Sequence, residues 1–435
     1  MGRSISSPYV ISRKITRPKP LLEPMTSIRN YMHRLRHAIP LLAMIACSHV
    51  GGREAVWENS KGEERWSIKI AESFLQRYPD SIPYNAGNPA IRWNYEPGLM
   101  YWSLLQLWEV TREQRYLDAV RKNLDLFVGE DGSIKTYNSD EQNLDMILPG
   151  RALLRVYHVT KQKKYRVAAE TLRNQLHDQP RTPSGGFWHK KIYPHQMWLD
   201  GIYMAQPFAA EYAALFRETA LFDDIAHQII LIEQKTRDPK TELLYHGWDE
   251  SKKQKWADPE RGTSPNFCGR AMGWYAMGLV DVLDAFPEDH PKKKELISIF
   301  QRLAVALVNY QDRRTGVWYQ VVDQGGGEGN YLEASASSMY TYALAKGIRK
   351  GYLGNEMRAH VEKAYHGILR EFVTIDDYDR VNLHHVCAVA GLGGNPYRDG
   401  SYAYYISEPQ RTNDFKGVGP FLLASLEIER MKGNW

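Results

Sequence analysis

One stretch of the chain concentrates residues that could do chemistry. His189, Lys190, Lys191, His195, Trp198 and Asp200 crowd around Pro194, and the chain then enters an apolar helical run from Ile202 to Phe216. Asp200 falls near the start of that helix, where the dipole favours a carboxylate and a capping role is open to it. A lone Asp in such a place is ordinarily an N-cap; the Trp-Leu-Asp-Gly setting, with His and Trp beside the acid, is what a sugar-processing cleft needs. A second acid, Asp145, lies in an otherwise apolar stretch between Leu144 and Met146, where a charge is costly unless it is paired or useful. Two carboxylates in one cleft would push each other's pKa values apart, leaving one protonated and one ionised. That is the general acid/base pairing of glycoside chemistry. Arg270, near the start of a small-residue helix, could clamp the carboxylate of an acidic sugar or bridge two helices. His189, Lys190 and His246 supply further donors, and Trp198, Trp274 and Tyr95 could stack on sugar rings, although each of these types alone is more often a packing residue.

The elements that must position these residues are helical. Apolar periodicity predicts twelve helices near residues 65–78, 96–110, 113–128, 140–159, 163–176, 200–217, 220–237, 267–285, 292–312, 333–349, 355–373 and 415–431, with one short strand at 316–322. A repeat is visible: Val110-Thr111 followed by Tyr116 and Ala119 recurs as Val159-Thr160 followed by Tyr165 and Ala168, an offset of 49 residues. Paired helices repeating at that length stack as hairpins. Six pairs close into an all-α, (α/α)6 barrel; an open solenoid is the alternative. The long aromatic loops favour closure, because most precede even-numbered helices and would converge on one mouth of a ring.

The 435 residues carry a formal charge of +5, with 12 Trp, 27 Tyr and 12 Phe. Residues 1–46 hold eight Lys/Arg against one acid, Glu23, so they carry +7 and the remainder −2. The basicity belongs to the leader, and the body offers no nucleic-acid patch. Met32 to His37 is basic, Ala38 to Ala46 is a short apolar run, and Cys47 follows. This pattern resembles a bacterial lipoprotein signal with Cys47 as the lipidated residue, so export to the periplasm or an outer-membrane anchorage is expected. The expected division is a leader at 1–46, a linker at 47–64 and a single catalytic domain at 65–435. Cys268 and Cys387 read as buried small residues, and no Cys/His spacing suggests a metal.

Several motifs, in order, resemble one family. Asn143-Leu144-Asp145, Gln196-Met197-Trp198-Leu199-Asp200-Gly201, Tyr245-His246-Gly247-Trp248, Gly269-Arg270-Ala271-Met272-Gly273-Trp274, Tyr331 to Ser337 and Tyr397-Arg398-Asp399-Gly400-Ser401 are similar to those of the unsaturated rhamnogalacturonyl hydrolases, glycoside hydrolase family 105. Cys268 departs from the aromatic common there. The likeness spans roughly residues 65–432 and implies an (α/α)6 barrel with neither metal nor other cofactor. It implies a substrate with a C4=C5 unsaturated uronic acid at its non-reducing end, left by a polysaccharide lyase acting on pectin. It assigns Asp200 as the acid/base, Asp145 as the second essential carboxylate, His189, Lys190, His246 and Arg270 as donors to the sugar, and Tyr95, Trp198 and Trp274 as the aromatic wall. Alternatives are action on unsaturated glucuronides of other polysaccharides, a sugar epimerase on the same barrel, and a non-catalytic helical-repeat binding module.

Overall fold

The computed structural model describes residues 64–433 and 435. The expected leader, Cys47 and the linker through residue 63 lie outside the described residues. The helices among them are α1 (Trp66–Arg77), α2 (Tyr95–Thr111), α3 (Gln114–Phe127), α4 (Gly150–Thr160), α5 (Lys163–Asp178), α6 (Leu199–Phe216), α7 (Leu221–Thr236), α8 (Gly269–Ala285), α9 (Lys293–Asn309), α10 (Ala334–Arg349), α11 (Arg358–Phe372), α12 (Tyr402–Ser407) and α13 (Phe415–Met431). Twelve are long and match the twelve expected; the short α12 was not foreseen from periodicity.

Six helices close a ring, α2 against α4, α4 against α6, then α8, α10 and α13, which returns to α2. The other long helices back onto them from outside. The sequence separates the layers. In α8 the first fifteen residues, Gly269 to Leu283, are all buried, because the helix is apolar or small nearly all round. In α3 the buried residues are Tyr116, Leu117, Val120, Asn123, Leu124 and Phe127, one stripe of an otherwise charged helix. Two layers of helices around one core form the (α/α)6 barrel.

The 49-residue repeat is physical. Arg112 and Lys161 both end their helices in the left-handed conformation, at φ 59° and 58°. In each copy the preceding threonine, Thr111 or Thr160, donates to the carbonyl one turn back, at 3.0 and 2.8 Å. Each copy then buries a tyrosine whose hydroxyl donates to an acid on the preceding outer helix, Tyr116 to Glu72 at 2.7 Å and Tyr165 to Asp125 at 2.6 Å.

Two expectations are corrected. The helix predicted at 140–159 is broken: Ser139–Glu141 and Leu144–Met146 are single 3-10 turns, and α4 starts only at Gly150. Pro149 disfavours helix in the residue before it and has no N–H to continue one. Asn138 and Asn143 instead accept from the backbone of their own turns, at 3.1 and 3.0 Å. Residues 316–322 are not a strand. Val321 bridges to Cys268 and Tyr319 to Leu332, two different partners, so no ladder builds. The strands observed are two or three residues long: β1 (Gln196–Trp198) pairs with β2 (Gly247–Asp249), β3 (Val373–Ile375) with β4 (Val381–Leu383), and β5 (Val386–Cys387) with β6 (Gln410–Arg411).

Candidate active site

Asp145 is held by the broken segment rather than by a helix. Asn143 pairs antiparallel with Lys190, and Leu144 donates its N–H to the carbonyl of His189 at 3.1 Å. This pairing brings Lys190 Nζ to 2.5 Å from Asp145 Oδ2, and His189 Nε2 to 3.4 Å from Oδ1. From the other side, Trp93 Nε1 donates to the Met146 carbonyl at 2.8 Å. Gly98 matters here: a Cβ on it would come 2.7 Å from the Pro149 ring, so its absence lets α2 approach the start of α4.

Asp200 is the second residue of α6, and the helix is preceded by Trp198, which makes no side-chain cap. The capping role therefore falls away. The carboxylate instead meets His246, whose Nε2 lies 3.0 Å from Oδ2. The β1–β2 pair arranges this, with Met197 opposite Trp248, Trp198 opposite Gly247 and the Leu199 N–H donating to the His246 carbonyl at 3.0 Å. The opposite nitrogen of His246, Nδ1, lies 2.7 Å from the hydroxyl of Tyr405.

His189 and Trp198 join the two acids. His189 stacks on Trp198 at 4.5 Å, and Trp198 meets His246 edge-on at 5.7 Å. Gly201, next to Asp200, lies so close to His189 that a Cβ there would be 3.2 Å from Nδ1. The side chains of Asp145 and Asp200 keep 11 % and 13 % of their surface exposed, whereas His189 and His246 are buried. Both carboxylates thus keep a little solvent exposure, and of their basic partners only Lys190, at 21 %, does the same.

The electrostatics differ from the sequence expectation. Burial pushes the Asp145 carboxyl up, but the Lys190 ammonium and His189 outweigh it and hold it well below the usual range. Burial likewise raises Asp200, and the imidazole of His246 more than offsets it, leaving a net downward shift. The acids do not split into one protonated and one ionised by mutual repulsion. Each has its own basic partner, which shifts it toward the ionised form.

The aromatic residues fall into different roles. Trp198 is stacked on by His189 and, at 4.9 Å, by Tyr193, and is 5 % exposed. Its ring is committed to protein and spaces the two imidazoles, rather than offering a sugar platform as expected. Trp274 is 1 % exposed, stacked on Tyr203 at 5.0 Å and edge-on to Tyr95 at 6.2 Å. Only Tyr95 of the three is partly exposed. Arg270 is buried and donates to the Cys387 carbonyl. Among the described residues no carboxylate lies within ion-pair distance of it: its neighbour Glu333 is taken up by Ser335, the Ala336 N–H and the Cys387 N–H. The role of helix-bridging ion pair is therefore not the one it plays. Among the described residues no three His, Cys, Asp or Glu side chains converge to hold a metal ion.

Sequence reasoning missed Tyr405. It sits on α12, whose start is capped by Ser401, which accepts from the Tyr404 N–H at 3.1 Å. The signal was the aromatic run Tyr402, Tyr404 and Tyr405 just after the Tyr397–Ser401 motif.

Known proteins are similar to this chain in sequence, and a solved structure is similar to it in fold. The model of Glycosyl Hydrolase Family 88 matches residues 66–432. The solved structure of a family 105 glycoside hydrolase from C. acetobutylicum is 45 % identical, with a TM-score of 0.81, covering 84 % of this chain and 100 % of that one. The 24.9 kDa protein in picA locus of Rhizobium radiobacter is 39 % identical over 52 % of this chain and 97 % of its own length. The unsaturated rhamnogalacturonyl hydrolase YesR of Bacillus subtilis is 27 % identical over 58 % of this chain and 70 % of its own. The chain belongs to the glycoside hydrolases of families 88 and 105.

Proposed function

We propose that the chain removes a C4=C5 unsaturated uronic acid from the non-reducing end of lyase-generated pectin oligosaccharides, by hydrating the double bond. Asp200 carries the reading: a carboxylate at the start of α6, with one oxygen held by His246 and its side chain not wholly closed off from solvent. The likeness to YesR supports a rhamnogalacturonan-derived substrate.

In this mechanism an anionic uronide entering the bowl raises the pKa of Asp200, because a second negative charge nearby disfavours ionisation. Asp200 takes up a proton and delivers it to C4. Positive charge develops at C5 and the ring oxygen. The carboxylate so regenerated then takes a proton from water as its oxygen bonds to C5. The resulting hemiketal opens and the glycosidic link falls apart. Asp145, fixed by Lys190 and His189, accepts from sugar hydroxyls. Arg270 is suited to the uronate carboxylate, because its buried guanidinium donates to the Cys387 carbonyl and has no ion-pair partner among the described residues. Tyr95, with Trp274 behind it, supplies the aromatic wall.

Asp200→Asn tests this: the ultraviolet absorbance of the unsaturated sugar should persist, while fold and much of the binding survive. Undiminished turnover in that variant would sink the mechanism. A panel of unsaturated galacturonides and glucuronides tests the substrate, and preference for glucuronides would move the assignment to other polysaccharides. The basic-apolar-Cys pattern at residues 32–47 supports export with a lipid on Cys47, which the mass of the mature N-terminus would check.

A further inference from the structure

His246 is completely buried, and both of its ring nitrogens are engaged. Nε2 faces Asp200 Oδ2 at 3.0 Å and Nδ1 faces the Tyr405 hydroxyl at 2.7 Å. Tyr405 is also completely buried, and among the described residues His246 Nδ1 is the one hydrogen-bond partner of its hydroxyl. A buried phenol O–H needs an acceptor, and leaving it without one is costly. Donation to Nδ1 satisfies it, and this requires Nδ1 to be bare. A neutral imidazole with bare Nδ1 carries its hydrogen on Nε2. That hydrogen points at Oδ2 of Asp200.

The consequence falls on the acid. Were the catalytic proton to sit on Oδ2, Nε2 would have to give up its hydrogen, Nδ1 would take one, and two hydrogens would face each other between Nδ1 and Tyr405. A proton on Oδ1 disturbs nothing. We propose that Tyr405 is a positioning residue which fixes the tautomer of His246 and thereby assigns the exchangeable proton to Oδ1 of Asp200. The proposal rests on the reading of Asp200 as proton donor. In the cycle, Oδ1–H passes its proton to C4 as the π electrons form the new C–H bond. Oδ1 later recovers a proton from the water whose oxygen bonds to C5. His246 and Tyr405 keep their hydrogens throughout, orienting without exchanging. The same logic holds the imidazole in a working tautomer in Ser-His-Asp triads, where a third group sets the ring.

Other titratable groups face this line. His189 comes from the loop before β1, Cys268 precedes α8, Cys387 lies on β5 and Tyr404 on α12. Burial pushes both thiols up, so they stay neutral. Because His189 is a second imidazole facing Asp200, the test reads His246 itself.

In the full-length enzyme, 15N chemical shifts of His246 should report the neutral Nε2–H tautomer at neutral pH; an Nδ1–H tautomer or a doubly protonated ring overturns the proposal whatever the variants do. Tyr405→Phe frees the ring. His246 should then populate both tautomers, and kcat should fall roughly 10-fold or more, as for other losses of an orienting partner, with KM changed less than about twofold. Protonated Asp200 gains a second stable form in that variant, so the alkaline limb of kcat moves to higher pH. A Tyr405→Phe enzyme with wild-type kcat, unchanged pH limb and intact Nε2–H tautomer overturns the proposal alone, provided Asp200→Asn is inactive. An active Asp200→Asn enzyme overturns the functional reading and this proposal with it. If Tyr405→Phe does not fold, the tautomer in the unaltered enzyme decides.

Discussion

Arg151 and Asp281 meet at 2.8 Å near where the inner helices α6, α8 and α10 end, and Lys190 and Asp145 meet at 2.5 Å where inner helices begin. In the first cluster every charge is answered by another. Arg151 holds Glu211 through Nε at 2.9 Å and Nη2 at 2.6 Å, holds Asp281 through Nη1, and lies over the Trp102 ring at 3.6 Å. Asp281 also accepts from Lys346 and Tyr342, both at 2.6 Å, and Lys346 reaches Asp284 at 2.6 Å. Asp281 and Arg151 are almost wholly excluded from solvent. At the candidate site the acids are paired as well, but each keeps about a tenth of its surface open, and the Arg270 guanidinium lacks an acid partner among the described residues. The centre of the first cluster, Arg151, Asp281 and Lys346, is scaffolding, since it is shut off from solvent and only its edge acids, Glu211 and Asp284, reach the surface. The open one has unsatisfied capacity that a charged sugar can fill.

This contrast can be broken most severely at Asp281. Asp281→Ala takes one acid partner from each of two buried cations, leaving Arg151 only Glu211 and Lys346 only Asp284, and unfolding free energy should drop by about 3 kcal/mol. Thermal or denaturant unfolding checks this, and turnover per folded molecule should hold. Asp145→Asn should do the reverse. It should lower kcat/KM roughly 100-fold, equivalent to about 2.7 kcal/mol of transition-state stabilisation, and cost less stability than Asp281→Ala, because Lys190 keeps 21 % of its side chain in solvent. A large loss of stability there would erase the distinction between the two clusters. Tyr165→Phe removes the hydroxyl bond to Asp125 in the outer layer and should cost about 1 kcal/mol with no effect on turnover.

The smallest effect concerns acid. Burial raises the Asp284 carboxyl, but Lys346 and Lys350 pull it down to about 2. A carboxyl depressed on folding stabilises above its unfolded value, about 4, and that contribution fades as pH falls from about 4 to about 2. Asp284→Asn should therefore narrow the gap in stability between the variant and the unaltered protein over that window. A gap independent of pH there would show that Asp284 contributes no linked stability.

Much of the architecture was legible because it is local. The stripes of α3 and the all-round apolarity of α8 appear in any window of a dozen residues, and so did the Thr-Tyr repeat. The reading failed at 140–159, where apolar periodicity ran through Pro149 and across two asparagines that cap their own turns. It failed at 316–322, because an apolar run does not reveal whether one partner or two will lie beside it. At the site, the ordered motifs named Asp145, Asp200, His246 and Arg270, and the basic stretch ahead of Asp200 named His189 and Lys190, but neither the ionisation of the acids nor the commitment of Trp198 to its neighbours was visible.

The sequence by itself determined the helices, their division into apolar and amphipathic layers, and the residue types at the mouth, since each depends on side chains three or four positions apart. Tertiary structure decided which of them touch. Asp200 and His246 are 46 residues apart and meet through the β1–β2 register, while Tyr405 reaches His246 across 159 residues only because α12 docks over the ring. Contacts at that separation follow from ring closure and loop geometry, which no local pattern of residues encodes.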